Sequence, residues 1–496
     1  MRTSLSHPLQ IAEIRPAESY GLLGITFCPG KVQSFGLTGS WHRDLGLDLD
    51  VIEDWNAAVV VTLVEERELA LLEVPNLGTA VRNRHIDWVH LPIRDRDVPD
   101  AAFEAHWAVI GAGLLDRLRA GFNVVVHCMG GLGRAGTIAS RLLIELGWEI
   151  TDAVSEVRRV RPGAIETDQQ MDYVYAQSEA PRENPAGDPK AIRDRGIGAL
   201  VGLAVGDAVG TTLEFRARDG YPRLTDMVGG GPFDLEAGQW TDDTAMALAL
   251  ADSLLAHQPF DASDCAQRFV SWMDEGAYSS TGACFDIGIT TRQALQRFKQ
   301  TSDAYAGSSD PMSAGNGSLM RLTPVALRYW NEPDILKAVA AEQSRITHGA
   351  DEAVDACVTY AELLAAAIGG TDRASLFAPR AFDGSASIAA IMAGSWRGKA
   401  RCDILSSGYV VHSLEAALWC VARTASYRDA VLLAANLGDD ADTTAAIAGQ
   451  LAGALYGLRA IPRDWLGRLA MQGRIVGMGQ ALMDGAGLPR SLADEA

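Results

Sequence analysis

The sequence predicts two domains, an α/β domain built on a mostly parallel sheet and then an all-α domain. Three observations predict it. At 496 residues the chain exceeds the roughly 100–200 residues of one ordinary domain. Short β-branched runs alternate with helical patterns in the first third, then give way to Ala- and Leu-rich helical runs. Between the two regimes lies Ala176–Lys190, a stretch rich in Pro, Gly and charge with no apolar period.

In chain order, Ala57–Leu63 and Asn123–His127 read as buried strands, and Phe103–Ala120 and Thr137–Leu146 as helices between and after them. The first domain is expected over residues 1–178, a linker over 179–192 and the second domain over 193–496. In that second domain Ala245–Ala256, Asp351–Ala367 and Thr443–Tyr456 carry helical periodicity, and strand-like runs are scarce.

Composition narrows the function. Hydrophobic residues make up 48% and charged residues 21%, values of a folded globular chain. No apolar run of about 18 residues stands out, and the N-terminus lacks the apolar core of a signal peptide, so no membrane association is expected. Seven cysteines without framework spacing point to a reducing, cytoplasmic setting. A net charge of −20 disfavours contact with a nucleic-acid backbone.

The stretch Val124–Thr137, VVVHCMGGLGRAGT, runs from a buried strand into a glycine-studded loop, with a helix expected from near Gly136. Gly130, Gly131 and Gly133 let successive backbone N–H groups converge into an anion nest. Cys128 opens the loop and Arg134 closes it. A thiol facing N–H dipoles and a guanidinium should be a thiolate at neutral pH, and Arg134 can grip two phosphoryl oxygens. A nucleophile and a charge stabiliser then share one locus.

This segment resembles the cysteine-based tyrosine and dual-specificity phosphatases, most of all the cyclin-dependent-kinase-associated branch. The likeness spans about residues 20–178, including PGAIET at Pro162–Thr167 and Gln170. It implies that Met129, Gly130, Gly131, Leu132, Gly133 and Arg134 bind phosphate around the Cys128 nucleophile, with no metal. It also implies an Asp general acid about thirty residues earlier. HLPIRDRDVPD offers Asp95, Asp97 and Asp100, and the pattern Pro-Ile-x-Asp points to Asp95, with Asp97 the alternative. Gln170 matches the glutamine that positions water against the phosphocysteine. Ala135 departs from the pattern: the hydroxyl that eases thiolate departure usually stands there, and the next hydroxyl is Thr137.

The second half carries two acidic clusters at helix starts, Thr241-Asp242-Asp243-Thr244 and Asp440-Ala441-Asp442-Thr443-Thr444. Capping explains one carboxylate per helix. It does not explain pairs, because neighbouring carboxylates repel unless a cation joins them. Oxygen ligands of this kind suit Mg²⁺ or Mn²⁺. With GLAVGDAVGTTLEF at Gly202–Phe215, GNGSLMRL at Gly315–Leu322, THGAD at Thr347–Asp351 and GYVVHSLEAALW at Gly408–Trp419, these motifs resemble the ADP-ribosylglycohydrolases, in the dinitrogenase-reductase-activating branch.

That resemblance implies an all-α fold with two Mg²⁺ or Mn²⁺ ions held by Thr241, Asp242, Asp243, Asp440, Asp442 and Thr443. It makes Glu214 the catalytic carboxylate, with a metal-linked Asp as rival. Asn316, Gly317 and Ser318 would hold the diphosphate, and His348 and Tyr409 would line the ADP-ribose site. Expected partners are therefore an ADP-ribosylated protein or small ADP-ribose derivative, and a phosphorylated protein or small phosphoester. The alternatives are an active glycohydrolase with a phosphate-reading first domain, and a pure binding module.

Overall fold

The computed structural model describes residues 1–36, 39–177 and 187–487. The chain divides into two units, Met1–Arg182 and Glu183–Ala496. Among the described residues of the first, seven strands form: β1 (Ala12–Ile14), β2 (Leu23–Phe27), β3 (Val32–Gly36), β4 (Gly39–His42), β5 (Ala57–Thr62), β6 (Asp87–His90) and β7 (Asn123–Cys128). The main sheet has the order β1-β2-β7-β5-β6, and β3 and β4 pair separately. Only β1 runs antiparallel; the other pairings in that sheet are parallel. The α/β expectation therefore holds. Val124, Val125 and Val126 have no exposure, as a central parallel strand covered on both faces requires.

Seven helices accompany the sheet: α1 (Leu45–Asp54), α2 (Glu66–Leu71), α3 (Leu77–Arg82), α4 (Ala101–Arg119), α5 (Gly133–Glu145), α6 (Ile150–Val160) and α7 (Asp168–Tyr175). Helix α5 begins three residues before the expected Gly136. Gly133 reads as loop from its glycine-rich surroundings, but its N–H is capped from a distance by Glu166 Oε2 at 2.8 Å.

The second unit is helical throughout, with no strand among its described residues. It begins with α8 (Pro189–Gly210), α9 (Asp242–Ala256), α10 (Ala262–Glu275), α11 (Ile289–Thr301), α12 (Thr323–Tyr329), α13 (Pro333–Arg345) and α14 (Asp351–Gly369). It continues through α15 (Arg373–Leu376), α16 (Ala386–Met392), α17 (Val410–Arg423), α18 (Tyr427–Ala435), α19 (Ala441–Tyr456), α20 (Arg463–Arg468) and α21 (Gln472–Gly485). Two sequence expectations need correction here. Residues 189–192, read as the end of the linker, are the first turn of α8: Asp188 caps it and Pro189 takes its first position. Linker positions 179–186 lie outside the described residues. Moreover, Pro189–Leu213 is long and apolar enough to cross a membrane, yet 94% of its most apolar 18 residues, of mean hydropathy 1.5, is buried inside the structure.

A four-residue glycine period explains how α8 can be so deeply packed. A Cβ at Gly198 would lie 2.6 Å from the Gly453 carbonyl oxygen, at Gly202 2.4 Å from that of Gly449, and at Gly206 2.2 Å from that of Ala445. At Gly210 it would lie 2.4 Å from the Ala441 oxygen. Backbone meets backbone along the whole α8–α19 contact, which sets the end of α8 beside the start of α19. Gly206→Ala is expected to cost about 1–3 kcal/mol by forcing these helices apart. Thermal unfolding checks this: the variant should melt lower than the wild-type protein.

Candidate active sites

In the first unit, the β2–β7–β5 register places Cys128 level with Phe27 and His127 level with Thr62. His127 is fully buried with Nε2 2.7 Å from Thr62 Oγ1, and burial pushes its pKa down to about 3. It is therefore a neutral strut beneath the loop. The Gly131 N–H donates to Cys128 Sγ at 3.2 Å. Gly131 has φ +69, and a Cβ there would strike the Thr26 carbonyl at 2.5 Å, so glycine is required.

Three loop carbonyls are taken by cations. Lys31 Nζ donates to Met129 O at 3.0 Å, and Arg161 donates to the Gly130 and Gly131 oxygens at 2.9 Å each. Lys31 is itself buried over the Phe27 and Trp41 rings, and burial lowers its pKa to about 8. With its carbonyls held in this way, the loop keeps the arrangement that an N–H nest needs.

Arg134 is buried and fully engaged. It donates to Glu68 Oε2 at 2.6 Å and Oε1 at 2.9 Å, to Ile93 O at 2.9 Å and to Asp95 Oδ1 at 3.0 Å. Of the candidate acids, Asp95 thus lies on the guanidinium. Asp97 instead accepts from its neighbour Val98 N–H at 2.9 Å, and Asp100 caps α4. Gln170, also buried, joins the same surroundings: its Nε2 donates to Asp97 O at 3.2 Å and its Oε1 accepts from Glu166 N–H at 2.9 Å. Thr137 does not stand in for a hydroxyl at position 135, because its Oγ1 donates to Gly133 O at 2.9 Å, back along the helix. Sequence reading missed Lys31, Glu68, Arg161 and Glu166. Only Glu68 carried a signal, as the third helical residue of the α2 capping box, where its Oε2 accepts from Glu65 N–H at 2.8 Å.

In the second unit the close α8–α19 packing brings together carboxylates far apart in sequence. Asp207, Asp243 and Asp442 each offer an oxygen within 4.8 Å of the others, and so do Glu214, Asp440 and Asp442. Asp442 is common to both groups, so the two positions for a cation adjoin. Thr241 Oγ1 lies 2.9 Å from Asp207 Oδ1, 3.2 Å from Asp243 Oδ2 and 3.1 Å from Asp442 Oδ2. Thr443 Oγ1 lies 3.4 Å from Asp243 Oδ2. Asp242 belongs to neither group of three, although Asp442, Asp207 and Asp440 repel it.

These groups fit hard divalent cations. Every donor is oxygen, and Asp243 Oδ1 is buried with no hydrogen-bond partner. Burial and then the charge of Asp442 push Asp207 and Asp440 up to about 7 and Glu214 far above the carboxylate range. Asp242 and Asp243 are raised as well, first by burial and then by neighbouring carboxylates. A bound cation would reverse that preference and favour the ionised forms. Asp207 stands inside the GLAVGDAVGTTLEF stretch but was given no role there, because a lone Asp in an Ala- and Gly-rich helix carries no ligand spacing of its own. Asp286 was missed too; burial and repulsion from Asp442 and Asp242 raise it to about 11.

Glu214 is buried, and its Oε2 accepts from the Ala441 N–H at 2.8 Å and the Asp442 N–H at 3.3 Å, so it caps α19 while facing the cluster. Asn316 Nδ2 donates to Asp440 Oδ2 and to Ser413 Oγ, both at 2.8 Å. His348 packs against Gly315 and Gly317, where a Gly317 Cβ would lie 2.7 Å from its Cε1. Its Nδ1 is 2.9 Å from Thr347 Oγ1, and burial lowers its pKa to about 3. Ser318 departs from expectation: its hydroxyl accepts from Ser344 Oγ at 2.8 Å in the core, which leaves its backbone as the part able to meet a ligand. Tyr409 is half-buried, bridged through Gly315 to the same loop, and donates to Glu352 Oε2 at 2.5 Å.

Comparison with known proteins agrees with this geometry. The ADP-ribosylglycohydrolase profile matches residues 188–491. The chain belongs to the ADP-ribosylglycohydrolase family. A DSP-PTPase phosphatase domain of the Swiss Army Knife group matches residues 46–174, so the glycohydrolase unit follows a phosphatase-type one. An ADP-ribosylarginine hydrolase, Tri1, from Pseudomonas putida is 45% identical over 330 residues, which is 64% of this chain and 88% of that protein. The ADP-ribosyl-[dinitrogen reductase] glycohydrolase of Rhodospirillum rubrum is 34% identical, over 57% of this chain and 92% of its own. Among solved structures, an ADP-ribosylglycohydrolase-related protein complex superposes with TM-score 0.53 at 40% identity, covering 60% of this chain and 99% of that one.

Proposed function

We propose that this ADP-ribosylglycohydrolase releases ADP-ribose from a modified arginine, and that its first unit hydrolyses phosphoesters through Cys128. The observation that carries the first part is the pair of adjoining carboxylate groups sharing Asp442, beside Glu214. The arginine acceptor is supported by the relative at 45% identity, which is an ADP-ribosylarginine hydrolase.

Glycosidic cleavage passes through oxocarbenium-like charge at the ribose anomeric carbon. Two divalent cations, Mg²⁺ or Mn²⁺, held by Asp207, Thr241, Asp243, Asp440, Asp442 and Thr443, with Asp242 alongside and Glu214 facing them, would orient the ribose hydroxyls and activate water. Glu214 holds the proton of the attacking water and returns it to the departing guanidine as the carbon–nitrogen bond breaks. The backbone of Asn316–Ser318 receives the diphosphate, Asn316 ties that loop to Asp440, and His348 and Tyr409 wall the site. The test is release of ADP-ribose from arginine-linked and serine-linked peptides with and without Mg²⁺. Metal-dependent cleavage of the arginine linkage supports the reading, and cleavage of neither refutes it.

In the first unit Cys128 attacks phosphorus, Arg134 exchanges Glu68 for phosphoryl oxygens, and Asp95 protonates the leaving oxygen. Gln170 then positions water against the phosphocysteine. One observation favours a phosphate reader instead: no hydroxyl stands at position 135, and Thr137 bonds to Gly133 O. Ala135→Ser should therefore speed phosphocysteine breakdown by roughly tenfold, about 1.4 kcal/mol in barrier. Burst kinetics with an aryl phosphate measure it, the steady-state phase rising against an unchanged burst.

A further inference from the structure

Three phenylalanines stand in a row at the edge of the acidic cluster. Phe215 follows Glu214 and Phe285 precedes Asp286, two acids close enough to repel each other. Phe233 lies between them, its ring 6.3 Å from that of Phe215 in an edge contact and 5.3 Å from that of Phe285. Phe215 is 68% exposed, an unusual position for a large apolar side chain beside a buried polar site. Its backbone is left-handed, at φ +60, which a bulky residue adopts only when its surroundings hold it there.

What holds it is visible. The Phe215 N–H donates to Asp439 O and the Asp439 N–H donates to Arg216 O, both at 2.8 Å. These two bonds tie the Phe215 turn to Asp439, in the segment that opens α19. Nothing in the core needs that ring. The side chain is largely exposed and follows a carboxylate of a strongly acidic cluster, a combination that favours a planar cation: guanidinium stacks on aromatic faces and is drawn by carboxylates.

We propose that the Phe215–Phe233–Phe285 row is the acceptor subsite, stacking the guanidinium of the modified arginine and selecting it over a hydroxyl acceptor. This rests on the arginine reading above. Specificity then comes from ring faces outside the carboxylate cluster, while the cluster itself handles the ribose.

The test uses the full chain with Mg²⁺ and two probes, ADP-ribosyl-agmatine and a serine-linked ADP-ribosyl peptide. Phe215→Ala should lower kcat/KM for the agmatine probe about tenfold, mainly through KM, and change the serine-linked rate by less than about twofold. That loss is within the range for a cation over an aromatic face. Phe215→Tyr should restore it and Phe215→Leu should not. Equal losses on both probes, or rescue by Leu, would overturn the subsite.

Binding separates this from the arginine reading itself. In a Glu214→Gln background, ADP-ribosyl-agmatine should bind about tenfold tighter than ADP-ribose by calorimetry, and Phe215→Ala should erase the difference. A difference that survives Phe215→Ala overturns the row whatever the turnover results. A wild-type chain that binds agmatine-linked ADP-ribose through the row but never cleaves it refutes the hydrolase reading and leaves the row standing.

Discussion

Asp442→Asn is expected to lower ADP-ribose release by at least about a thousandfold, roughly 4 kcal/mol in barrier. Asp442 is the carboxylate common to both cation groups, so one neutral amide weakens both at once. The substitution is nearly isosteric, and removing one charge from a buried, mutually repelling cluster does not by itself unfold the domain. Two readouts distinguish loss of metal from loss of structure. Mg²⁺ should raise the Tm of the wild-type protein by mass action and leave the variant nearly unmoved, while the variant's Tm without metal should be at least that of wild type. A variant that still responds to Mg²⁺ as wild type does would remove Asp442 from the ligand set.

Cys128→Ser should give the second large effect, a loss of phosphoester hydrolysis of at least about a thousandfold. A serine hydroxyl is far less acidic than a thiol, so the nucleophile disappears while the Gly131 N–H, Arg134 and the rest of the nest stay in place. Inorganic phosphate or vanadate should still protect the variant against unfolding. ADP-ribose release should change by less than about twofold, since every residue assigned to that site lies in the other unit. Phosphatase turnover that persists in the variant would place the nucleophile elsewhere.

Motifs made of neighbours in sequence were legible, and partners brought together by packing were not. Cys128 and Arg134 stand six residues apart at one strand–loop–helix junction, and Asp440, Asp442 and Thr443 in one helix start, so their types and spacing carried the chemistry. Asp207 lies in the last turn of α8, and its place in the cluster follows only when the glycine period at 198, 202, 206 and 210 lets α19 alongside. Glu68 and Arg134 are separated by 66 residues and meet because β5 and β7 pair in the sheet. Asp286 sits in a turn with φ +60 before α11, where neither periodicity nor capping marks it. Boundaries failed for a related reason. The Gly133 start of α5 depends on Glu166, and the Pro189 start of α8 was hidden by residues that also compose linkers.

The proposed function places two hydrolytic sites of different chemistry on one chain, one built on Cys128 and the other on carboxylate-held cations. Chelation tests that claim most directly. A single preparation of the full chain should be assayed for ADP-ribosylarginine cleavage and for aryl phosphate hydrolysis while EDTA is titrated against Mg²⁺. The first activity should fall to background and return with Mg²⁺, while the second should stay within about a factor of two, roughly 0.4 kcal/mol in barrier. Parallel loss of both activities, or ADP-ribose release that survives complete chelation, would contradict it.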